Sequence, residues 1–176
     1  MLLSLEEGAL RVLRRRGIDL EWPDQGGPRP DLLAMATAKW LIDEHALCDL
    51  PMVAREEQPH GYRSPIRDAI AACGTDTPLE LRDLVGEFMA QLGFADTHAG
   101  GVALFCDIYL RRIAENLTHP AVGATCLSWA GMHADAAPDD AIRVFTAFAE
   151  DWQDQPGSRA EIERAIRHEA RRRTIR

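Results

Sequence analysis

Lysine is nearly missing from this chain: Lys39 stands alone among the 20 basic residues, and all the others are arginine. That skew reads as a base-composition effect rather than as chemistry. Aromatic residues are also scarce, at 6%. Val, Ile, Thr and Tyr are sparse beside Ala, Leu and Arg, so the composition favours helix over strand. The cysteines, Cys48, Cys73, Cys106 and Cys126, include no CxxC pair. They are expected to be reduced, buried small hydrophobes. HExxH, the EF-hand loop, the GxSxG elbow and the phosphate-binding P-loop are all missing, which removes the common metalloprotease, calcium, hydrolase and nucleotide signatures. Long apolar runs are missing too. The longest uncharged stretch, residues 116–134, contains His119, Pro120, Ser128 and two glycines, too polar for a membrane span. The opening Met-Leu-Leu-Ser-Leu meets Glu6 and Glu7 at once, which argues against a signal peptide and for a cytoplasmic protein.

What is present is a globular balance. The 176 residues are 46% hydrophobic, enough to bury a core without disulfide or metal staples. The net charge is −8. From Arg159 onward seven Arg face three Glu, so the acid excess lies in the body. An acidic body disfavours nucleic-acid backbone and anionic membrane and suits a basic protein partner; plain solubility explains it as well.

Helix punctuation organises the chain. Ser4-Leu5-Glu6-Glu7, Thr77-Pro78-Leu79-Glu80 and Ser158-Arg159-Ala160-Glu161 have the form of capping boxes. Asp31 and Ser64-Pro65 have the form of N-terminal caps. Gly17, Gly74 and Gly93 fall where helices should stop. Helices are expected over about 5–16, from Asp31 to about residue 45 or 47, from 65 to Gly74, over 78–92, from Asp96 or Thr97 to Asn116, over about 120–134, from Pro138 onward, and from 159 to the end. A loop rich in Pro and Gly fills 17–30, and residues 51–57 read as a short turn. The expected fold is all-α: one compact domain over 1–176, about seven helices around a central uncharged hairpin at about 98–134, with a basic C-terminal helix at 159–176.

Few residues invite chemistry. His98, His119 and His133 flank the uncharged hairpin, and each could act as a general base if a carboxylate oriented it; Asp96, Asp107 and Asp135 are nearest in sequence. Asp43, Glu44, His45 and Cys48 offer a loose metal constellation, but no spacing is diagnostic and no metal or cofactor is expected. Gly100-Gly101 near a helix start could admit a phosphate, or could simply allow close packing. The basic triplets ending at Arg16 and Arg173 sit where positive charge complements a helix dipole.

The most specific polar pattern is Glu80, Asp83 and Glu87 at i, i+3 and i+7 on one helix, repelling one another by a few tenths of a kcal/mol. Arg164, Arg167 and Arg171 repeat that spacing near the C-terminus and could neutralise the acidic stripe internally. The functional expectation is a protein-binding or regulatory helical module, a neutraliser of the immunity type or an adaptor, that meets a basic partner through Glu80, Asp83 and Glu87. The alternative is a small helical enzyme built on His98, His119 or His133, with or without a metal. Oligomeric state is open at this level.

Overall fold

The computed structural model describes residues 2–20, 31–43, 50–74, 78–133 and 140–174. Among these there are nine α-helices and no strand: α1 (Leu2–Arg15), α2 (Leu32–Ile42), α3 (Leu50–Glu57), α4 (Pro65–Ala72), α5 (Pro78–Leu92), α6 (His98–Ala114), α7 (Pro120–Met132), α8 (Asp140–Asp154) and α9 (Arg159–Thr174). The all-α architecture follows from the composition and the caps. The count exceeds seven partly because residues 50–57 form α3 rather than a turn. The helices fall into two compact units, one of Met1–Pro28 with Cys106–Arg176 and one of Arg29–Phe105.

Helix stops were the most readable local feature. Gly17 has φ 76° and Gly93 has φ 83°, the left-handed region where a Cβ would be strained. At each the two-bond Schellman pattern is complete. Gly17 N–H donates to Arg14 O (2.9 Å) and Ile18 N–H to Leu13 O (3.0 Å); Gly93 N–H donates to Ala90 O (3.1 Å) and Phe94 N–H to Met89 O (2.9 Å). Asn116, φ 58°, closes α6 in the same way. Gly74 plays no such part: α4 ends at Ala72, where Arg55 takes the terminal carbonyls, Nε to Ala71 O (2.7 Å) and Nη2 to Cys73 O (3.2 Å).

Among the starts, Asp31 accepts from Ala34 N–H (2.9 Å), Ser64 from Arg67 N–H (3.3 Å) and Thr97 from Gly100 N–H (3.1 Å). Two proposed capping boxes are corrected. Ser4 already lies inside α1, and Ser158 belongs to a 3-10 turn, Pro156–Ser158, that leads directly into α9. Thr77 and Pro138 lie outside the described residues.

In the first unit α7 is buried along most of its length, as an uncharged helix should be. It packs most extensively on α8 and also meets α1 and α9. Gly123 is required here, since a Cβ would stand 2.6 Å from Ile113 Cγ1 of α6. Leu13, Tyr109, Ile113, Phe145 and Trp152 are fully buried around it, each such aliphatic or aromatic burial stabilising by about 1.5–3 kcal/mol. α9 carries little apolar surface, burying Ile166 and Ala170. Its end is held by Arg173 between Asp140 (2.7 Å) and Glu169 (2.6 Å).

In the second unit α2 is the central helix, buried from Leu33 to Ala38 and at Trp40 and Ile42. The first half of α6 comes close to it at Gly101, where a Cβ would meet Leu41 Cβ at 2.5 Å. Gly101 thus serves backbone approach, the packing reading of the Gly100-Gly101 pair.

Candidate functional site

The acidic stripe is on α5, and Glu80, Asp83 and Glu87 are all exposed. Leu79 beside them is 80% exposed. At 100° per residue Leu79, Asp83, Gly86 and Ala90 share one line along the helix, with Glu80 and Glu87 together on one side of it and exposed Arg82 on the other. Gly86 is half-buried, with Asp96 Oδ2 standing 3.1 Å from where its Cβ would be, and Ala90 is exposed. The arginines that matched the stripe by spacing have partners within their own unit. Arg164 Nε donates to Ala160 O (3.3 Å), Arg167 lies 3.9 Å from Glu163, and Arg171 Nε donates to Ala114 O (3.3 Å).

The three candidate histidines are divided between the two units. His98 begins α6 in the second unit and is half-buried. His119 and His133 bracket α7, about 20 Å apart at 1.5 Å per residue. His133 is exposed and rests against Trp129, with ring centroids 4.7 Å apart.

His119, 6% exposed, is the N-cap of α7, its Nδ1 accepting from Ala121 N–H (3.2 Å). That bond makes the Nε2–H tautomer the one present, and Nε2 faces Glu163 Oε1 at 3.4 Å. The same oxygen accepts from Trp152 Nε1 (3.0 Å), and Arg159 covers the Trp152 ring at 4.5 Å. Burial holds the His119 pKa below its ordinary value, against the pull of Glu163. The carboxylate facing His119 therefore comes from α9, not from Asp96, Asp107 or Asp135. Asp107 pairs with Arg111 at 3.0 Å, and Asp135 lies outside the described residues.

A second buried polar cluster ties α2, α3 and α4 together. Arg67 forks between Glu57 (2.9 Å) and Asp31, with its guanidinium 4.8 Å from the Phe88 ring centroid and 5.4 Å from that of Tyr62. Glu57 is 2% exposed and also accepts from Leu32 N–H. Burial, then the Asp31 charge, raises its pKa. Sequence reading missed this cluster because its members are ordinary charged residues in three separate helices.

A concave feature of the first unit lies between α1, α7 and α8. It encloses about 490 Å³. Ala9, Cys126 and Ala149, all buried, form its floor, and Trp129 and Met132 line it from α7. Arg16, just past the end of α1, and Glu150 from α8 stand at its edge. Burial pushes the Cys126 thiol up to about 12, so it contributes packing rather than a thiolate nucleophile.

Among the described residues no three His, Cys, Asp or Glu side chains gather as metal ligands, and no helix is long and apolar enough to cross a membrane. Residues 44–48 of the loose metal constellation lie outside the described residues. No protein family, curated protein or solved structure matches the chain.

Proposed function

We propose that this chain is a protein-binding module that docks a basic partner on the outer face of α5, as a neutraliser or adaptor. The observation that carries the reading is Leu79, 80% exposed, standing in line with Asp83 and Ala90 and bordered on one side by Glu80 and Glu87. A bare leucine at the head of this line suits an apolar anchor, while the carboxylates steer and orient a cationic surface. The enzyme alternative has less support. A general base needs a free ring nitrogen, and at His119 one nitrogen accepts a backbone N–H while the other faces Glu163.

The test uses a synthetic amphipathic helical peptide with Leu on one face and Arg along one flank. Its association rate with the chain should fall as salt rises. Replacing Glu80, Asp83 and Glu87 together by Lys should slow association about tenfold or more, and Leu79→Ala should speed dissociation. The melting temperature should fall only slightly, since the three carboxylates are exposed and Glu80 alone stands in the first turn, where it complements the helix dipole. Association indifferent to salt and to charge reversal would defeat this reading.

A further inference from the structure

We propose that the groove between α1, α7 and α8 binds an uncharged, largely apolar small molecule. This goes beyond the α5 reading and rests on separate residues. Its volume, about 490 Å³, lies within the roughly 300–1,000 Å³ of ordinary ligand pockets. Its floor reaches buried residues, Ala9, Cys126 and Ala149, so it has the depth of a pocket rather than the flatness of a docking face. Trp129 supplies an aromatic wall, and Met132, 74% exposed, supplies a flexible thioether flap of the kind that adapts to irregular apolar shapes.

Gly8 carries the argument further. It lies inside α1, and its φ is not in the left-handed region. A mid-helix glycine costs about 1 kcal/mol relative to alanine. The glycines at 101 and 123 are explained by what a Cβ would strike. At Gly8 a Cβ would meet nothing within 4 Å. No described residue uses the space that this glycine leaves open, and Gly8 lines the groove.

The edge residues set the ligand's charge. Arg16 and Glu150 carry opposite signs, so the gain either would give a charged ligand is offset by the other. A neutral body is favoured, with Ser128 and Gln153 available for one or two hydrogen bonds.

The probe is N-phenyl-1-naphthylamine, neutral and apolar, titrated against the full chain with tryptophan emission as a second reporter. Saturable one-to-one binding is expected, with tryptophan quenching that Trp129→Phe diminishes, and the anionic 8-anilinonaphthalene-1-sulfonate should bind at least tenfold more weakly. Gly8→Leu should fill the groove and reduce neutral-probe affinity at least tenfold while the melting temperature holds or rises. Ser128→Leu, from the opposite wall, should do the same. No saturable binding, or unchanged binding in both filled variants, overturns the proposal. So does a wild-type dimer in sedimentation that Gly8→Leu converts to monomer, since the groove would then be covered by a second copy.

Discussion

Gly17 and Gly93 are single residues whose backbone angles forbid an easy replacement. Each holds φ near 80°, at 76° and 83°, and each closes a two-bond helix stop. Gly17→Ala or Gly93→Ala should cost about 1 kcal/mol each, read as a lower melting temperature, with no gain from improved helix propensity. Substitutions that left stability untouched would mean the stops are set elsewhere. These positions were legible in the sequence because glycine followed by a hydrophobic residue states both halves of the motif locally. His119 and Arg67 were not legible in the same way. A cap at His119 could be read from the proline after it, but its partner Glu163 is supplied by another helix. Arg67 reaches partners 10 and 36 positions away, and sequence proximity carries no information about such a fork.

Elements were legible where caps are local and obscure where packing decides. Asp31 and Ser64-Pro65 cap α2 and α4 as the residues suggest. Ser4 fails as a cap because α1 begins before it, and α3 was hidden because Pro51 and the charged Arg55-Glu56-Glu57 run blur the apolar period of a helix only 8 residues long. The contact of α2, α3 and α4 depends on the Arg67 fork. Arg67→Ala would leave Glu57 and Asp31 facing each other without their shared cation, and breaking such a buried pair costs about 3–5 kcal/mol. Arg67→Lys should restore only part of this, since a point charge cannot serve two carboxylates as a planar fork does. Urea denaturation of the two variants measures the difference. Equal stability of the Ala and Lys variants would show that the fork's geometry contributes nothing.

At the scale of the whole chain the two units should answer pH in opposite directions. In the first, burial depresses the His119 pKa from 6.5. The stability tied to that neutral ring is complete above 6.5 and is lost as pH falls through the depressed value. In the second, burial raises the Glu57 pKa from 4.5. Its contribution is complete below 4.5 and is lost as pH rises through the raised value. Hydrogen exchange compared at pH 7.5 and pH 5, corrected for intrinsic rates, should show protection falling around α7 and α9. Protection in α2, α3 and α4 should hold or increase. A uniform fall across both units would contradict this assignment.

The empty space before Gly8 sets stability and use against each other at one position. A library randomised there and selected only for resistance to heat should drift toward alanine, leucine or methionine, since each strengthens the helix and meets open room. The same library selected for retention of a hydrophobic dye should return to glycine.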